Sequence, residues 1–100
     1  MKANIALHYL HRDAGNYKTF GSVVLSNPNQ VTPQVAEQAF RKHLIDTEFF
    51  YCTDWNLPPL LPGDPAIQGD WYEFVKFSPT SVEVTDPRSI EEFLECGKTR

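Results

Sequence analysis

This sequence is poor in the residues that give small proteins their most readable functions. It has two cysteines, Cys52 and Cys96, too few for a disulfide framework. Two reduced, buried thiols in a cytoplasmic protein are the expectation. Its five glycines are scattered and match no phosphate-cradling spacing. No apolar run approaches the length of a membrane-spanning helix, so no membrane association is expected. Lys2, Asn4, His8, His11, Arg12 and Asp13 interrupt Met1–Ala14, so that stretch does not read as an export signal. Zinc-ligand spacing is missing, and Ser22, Ser26 and Ser89 lack the context of a nucleophile elbow. Positive charge is scarce too: nine basic residues face thirteen acidic ones, for a net charge of −4. Such a chain has little with which to neutralise phosphates, which argues against nucleic acid as a partner.

The charge is uneven. Met1–Phe50 holds five basic residues against four acidic, a balance of +1, and Tyr51–Arg100 four against nine, a balance of −5. An acidic half fits a basic protein partner. A chain of 100 residues, 41% hydrophobic and 13% aromatic, has enough apolar surface to fold as one domain over residues 1–100.

Hydrophobic periodicity then orders the elements. Ala3–Leu10 alternates, with Ile5, Leu7 and Tyr9 on one face and Ala6, His8 and Leu10 on the other. The turn residues Asp13-Ala14-Gly15-Asn16 connect it to a second strand, Tyr17–Leu25, as an antiparallel hairpin. Gly21 inside that strand is read as a bulge. Thr32 caps a helix that opens on Pro33, with Val35, Ala36, Ala39, Phe40, His43 and Leu44 at helical spacing. Glu48–Cys52 is β-prone. Asp54–Asp70 holds four prolines and reads as a long loop. Trp71–Phe77 is a fourth strand, and Val82–Val84 extends the sheet after a turn at Ser78-Pro79. The closing helix has a capping-box pattern at Ser89 and Glu92 and ends near Gly97. The expected fold is α+β: a small antiparallel sheet, the N-terminal hairpin plus two or three further strands, packed against two helices.

Few residues invite chemistry. His8 and His11 are three apart, so on a strand they face opposite sides and cannot chelate one ion. Asp46 and Glu48 are read as helix end and strand start. Cys52 follows Phe49-Phe50-Tyr51 and is read as a buried, inert thiol. No catalytic residue, metal or cofactor is assigned. The segment Trp55–Pro62 is the most unusual stretch, apolar and proline-rich. It either folds back over the sheet or docks on a partner through Trp55 and Leu60. Glu91, Glu92 and Glu95 on the last helix are either a solvated face or an acidic docking surface.

Four blocks occur in an order that carries a resemblance: Tyr9–Lys18 (Y-L-H-R-D-A-G-N-Y-K), Gly21–Pro28 (G-S-V-V-L-S-N-P), Leu44–Phe50 (L-I-D-T-E-F-F) and Arg88–Leu94 (R-S-I-E-E-F-L). The chain resembles a family of small uncharacterised bacterial proteins with Y-R-D-A-S-N-Y-K, S-N-P and L-I-D-G-E blocks and a similar ending. It departs at His11, at Gly15 and at Thr47, where that pattern has glycine. The resemblance implies a bacterial or phage cytosolic origin and no particular activity. It draws attention to Arg12, Asp13, Asn16, Tyr17 and Lys18, with Asp46 and Glu48, as a turn-locking cluster or a ligand contact.

The leading expectation is therefore a non-catalytic protein-binding or regulatory module, its binding residues sought among Arg12, Asp13, Tyr17, Trp55, Leu60, Glu91, Glu92 and Glu95. A metal-assisted hydrolase or nuclease using His8, His11, Asp13, Asp46 and Glu48 is the first alternative, and requires those side chains to converge. A structural homo-oligomer, such as a homodimer joined through the loop or a sheet edge, is the second.

Overall fold

The structure is a computed structural model, and it describes residues 4–12, 15, 17–60 and 71–98. The strands are β1 (Asn4–Arg12), β2 (Lys18–Ser26), β3 (Phe49–Tyr51) and β4 (Trp71–Thr80). The helices are α1 (Pro33–Arg41) and α2 (Ile90–Lys98), and a 3-10 turn spans Cys52–Trp55. The strands form one antiparallel sheet in the order β2-β1-β4-β3, and both helices pack on the same face as the core. This is the expected α+β architecture.

Alternation assigns the faces. Ile5, Leu7 and Tyr9 are fully buried beneath the helices, opposite Leu25, Val23 and Gly21 of β2. Phe40 of α1 is the hub of the core: its ring lies 4.7 Å from Trp55, 5.2 Å from Phe74 and 5.4 Å from Phe93, centroid to centroid. Near-perpendicular contacts with Trp55 and Phe74 place ring edges on ring faces, the arrangement the aromatic quadrupole favours. Thr32 Oγ1 accepts from Val35 N at 3.2 Å and Pro33 opens α1, as the sequence requires. At α2 the capping box is reciprocal: Ser89 N donates to Glu92 Oε1 (2.9 Å) and Glu92 N to Ser89 Oγ (3.1 Å).

Several local expectations are corrected. The β1–β2 register is unbroken past Gly21, so that glycine is not a bulge. A side-chain carbon built there would overlap the Leu60 methyl Cδ2, so Gly21 exists to let the loop lie close on the strand. The irregularity falls instead between β1 and β4. Phe74 and Phe77 both point into the core, so the two residues between them, Val75 and Lys76, both emerge on the opposite face. Ser78-Pro79 is no turn: β4 continues through both to Thr80, and Val82–Val84 forms no strand. Pro79 is tolerated because Val24 turns its peptide groups outward, so by alternation Ala6 presents its own to β4 and Pro79, opposite Ile5, needs no N–H. Helix α1 closes at Arg41, three residues short of Leu44, and α2 runs through Gly97 to Lys98. Val35 is 55% exposed rather than on the apolar stripe.

The long loop begins by folding back over the sheet. Trp55 and Leu57 are buried, and Leu60 packs against the core. Two buried tyrosines tie the backbone down: Tyr9 Oη donates to the Pro58 carbonyl (2.7 Å), and Leu60 N donates to Tyr72 Oη (2.9 Å). Burial first of all, and then the nearby Cys52, raise the Tyr9 phenol far above its ordinary range and keep it a donor. Residues 61–70 of that loop lie outside the described residues, as do Asp13, Ala14 and Asn16 of the hairpin turn.

Candidate functional site

The side of the sheet away from the helices is the open face, and the register says what stands on it. Across one row run Phe20 of β2, Leu10 of β1, Glu73 of β4 and Phe49 of β3. The row nearer the hairpin holds Lys18 opposite Arg12, and Tyr51 opposite Trp71. The row beyond holds Ser22, His8 and Lys76, with Val75 beside it.

Aromatics on this face are exposed to a degree unusual for their size. Phe20 is 66% exposed, Tyr51 42%, Trp71 39% and the neighbouring Val75 37%. Phe49 stacks on Trp71 at 5.0 Å, and Tyr51 meets the same indole edge-on at 5.5 Å. This three-ring cluster is braced internally and holds its outer surface to solvent.

Charge on this face is the reverse of the chain's. Among the described residues, Arg12, Lys18 and Lys76 stand against Glu73, a local balance of +2 on a protein of −4. Glu73 is buried, and Arg12 neutralises it through a forked contact, Nε at 3.0 Å and Nη2 at 3.0 and 3.3 Å from its two oxygens. Lys18 and Lys76 are exposed. His8 lies between Ser22 and Lys76, with Nε2 2.8 Å from Ser78 Oγ. Its imidazole is held below its ordinary range, first by burial and then by the Lys76 ammonium. It therefore stays neutral at physiological pH.

The sequence-predicted residues fall in different places. Arg12 is on the open face, and Tyr17, 73% exposed, directly precedes β2. Asp13 lies outside the described residues. Trp55 is fully buried, so it serves the core and offers no docking surface; Leu60 is half-buried over Gly21. On α2, Glu92 is occupied by the capping box, and Glu91 accepts from Asn29 Nδ2 at 2.8 Å. Glu95 is exposed on the same helix. None of the α2 acids lies on the open face.

Among the described residues, those of the alternative catalytic reading do not group. His8 is on the open face, whereas His11 is buried with its ring 5.1 Å from core residue Tyr72. Among the described residues, no three His, Cys, Asp or Glu side chains are grouped to hold a metal ion. Cys52 is 1% exposed and donates to the Leu57 carbonyl at 3.1 Å, the placement of an inert thiol; Cys96 is half-buried, and the two are not joined as a disulfide. A cleft of about 230 Å³ opens between the starts of β1 and α1. Asn4, Asn27, Gln30, Val31, Thr32, Pro33 and Pro79 line it, none with a group that titrates.

No family model, curated protein or solved structure matches the chain, so the site is read from its own geometry. Sequence reasoning missed Phe20, Phe49, Tyr51, Trp71 and Lys76 as a set. Their alternation within strands was legible, but which strands lie side by side was not. Among the described residues no helix is long and apolar enough to cross a membrane.

Proposed function

We propose that this protein is a binding module that acts by docking a protein partner on the open face of its sheet. The observation that carries the reading is the set of exposed aromatics beside unspent cations, Phe20, Tyr51 and Trp71 with Lys18 and Lys76, on the face opposite the two described helices. Large rigid rings supply contact area at low entropic cost, and surrounding charges set the approach of the partner. The +2 balance of the described residues favours a partner with an acidic surface, the opposite sign from a reading based on the chain's net charge. Exposed Arg12, its guanidinium held by the buried Glu73 carboxylate, is a fixed side chain on the same face.

The test is affinity capture from the native cell with three tagged forms. The wild type is expected to recover one stoichiometric partner. A Lys18→Glu, Trp71→Ala form is expected to lose it, and a Glu91→Gln, Glu95→Gln form to keep it. Loss confined to the α2 form, or no partner with any form, overturns the assignment.

A further inference from the structure

The outer edge of β2 is half-closed, and where it closes is informative. Val24 turns its N–H and C=O away from β1. Its carbonyl accepts from Thr85 N (3.0 Å) and Asp86 N (3.1 Å), and its N–H donates to Thr85 Oγ1 (2.8 Å). Ser26 N donates to the Arg88 carbonyl, and Ser26 bridges to Ser89 in parallel. The chain before α2 thus acts as a short extra strand over that half of the edge.

Alternation makes Ser22, Phe20 and Lys18 the next residues with outward peptide groups. Among the described residues no strand pairs with them. An unpaired edge beside exposed apolar side chains is a template for another strand. Phe20 is 66% exposed, and Tyr17 is 73% exposed at the end of the run. Val82 and Val84, 59% and 47% exposed, lead into the segment that covers Val24.

We propose that this edge pairs with the same edge of a second copy of the chain, antiparallel about a twofold axis at Phe20. The open run, Lys18 to Ser22, is symmetric about that residue. Pairing opposes Phe20 to its own copy and Lys18 to Ser22. Each outward amide meets a carbonyl, giving six backbone hydrogen bonds on the alternation rule. Lys18, the one charge on the run, meets a neutral hydroxyl rather than another lysine, which removes the like-charge penalty that a same-residue register would carry. The Thr85–Asp86 segment of the second copy ends the pairing where β2 leaves for its hairpin turn. That brings Tyr17 of each copy alongside Val84 and Thr85 of the other, so the exposed apolar residues at the two ends of the edge cover one another. The surface is self-complementary, as a twofold interface must be. The product is a continuous eight-stranded sheet with a doubled open face. It uses the same sheet as the docking function but does not depend on it, since a monomeric chain that still captures a partner would refute the pairing alone.

The test combines sedimentation velocity over roughly a hundredfold concentration range with amide hydrogen exchange by NMR. The expected result is a concentration-dependent monomer–dimer equilibrium, with the Phe20 and Ser22 amides slowing as dimer accumulates. Phe20→Lys and Ser22→Pro are expected to abolish both signals while circular dichroism stays native. The proline removes only an outward N–H, which an edge strand tolerates. A wild type that is monomeric at every concentration overturns the proposal. So does a dimer that survives both substitutions, or edge amides that slow only when a different protein is added.

Discussion

Replacing Asp86 by alanine is the sharpest test of how the fold is held at its second helix. The Asp86 carboxylate accepts from Arg88 N (2.9 Å), Nε (2.9 Å) and Nη2 (2.7 Å). The same guanidinium donates to the carbonyls of Trp55 (2.8 Å) and Asn56 (3.1 Å), and lies over the Phe93 ring at 5.0 Å. One ion pair therefore fastens the end of the 3-10 turn to the start of α2. Both side chains are largely out of water, at 16% and 8% exposure. Removing one partner of a buried pair costs about 3–5 kcal/mol, because the other charge is left without compensation. Here the guanidinium keeps two carbonyl partners, so the low end, about 3 kcal/mol, is expected. For a domain of this size that lowers Tm by about 12–24 °C.

Thermal and urea unfolding followed by circular dichroism measure the loss. A change under about 1 kcal/mol would mean the pair is solvated like a surface bridge, and would refute the clamp. The double variant Asp86→Ala, Arg88→Met should recover part of the loss, since no charge is then buried. The pH dependence has a definite sign. The Arg88 side chain holds the Asp86 carboxyl below its ordinary range, outweighing the opposite effect of burial. A depressed carboxyl stabilises the fold above its unfolded value of about 3.9, and that stability is lost as pH falls through the lower folded value. The gap between wild type and Asp86→Ala should stay constant from neutral pH down to about 5 and close only in stronger acid. A gap that closes near neutrality would assign the effect to another group.

Two further stability outcomes follow from the backbone. Gly21→Ala should cost about 1–3 kcal/mol by overpacking against Leu60, and Leu60→Ala in the same chain should cancel much of that added penalty in urea unfolding. Asp46 and Thr47 both hold left-handed backbones, φ 53° and 59°, in a turn closed by Glu48 N donating to the Ile45 carbonyl at 3.1 Å. Thr47→Gly should relieve a β-branched residue there and raise stability by on the order of 1 kcal/mol; a loss in the same assay would show that the turn is not strained.

Most of the fold was legible because local signals agreed with one another. The alternation of Ile5, Leu7 and Tyr9, the Thr32-Pro33 start and the Ser89–Glu92 box each found the partner the sequence implied. What was not legible depends on contacts made at a distance. Gly21 looks like a bulge until Leu60, thirty-nine residues later in the chain, is seen lying on it. Ser78-Pro79 looks like a turn until Ala6 and Ile5 are seen to need no N–H from Pro79. Thr47 gives no sign in sequence of the left-handed backbone it holds, φ 59°. The candidate site divides the same way. Arg12, Tyr17 and Lys18 were visible as a cluster near one turn, whereas Trp71, Tyr51 and Phe20 join them only once β1 separates β2 from β4.

That strand order also explains why net charge misleads about the binding face. Three acids of the second half go to structural tasks: Asp86 clamps Arg88, Glu92 caps α2, and Glu91 holds Asn29. Glu73, the acid the register sets on the open face, is itself neutralised by Arg12. Lys18 and Lys76 are thereby left as the charges that an approaching surface meets first. Screening confines such fields to about 8–10 Å at physiological salt, so at contact distance the local pattern outweighs the distant acids of α2. A partner selected by this face should therefore bind more weakly as salt rises. Binding that strengthens with salt would instead place the energy in the Phe20, Tyr51 and Trp71 rings alone.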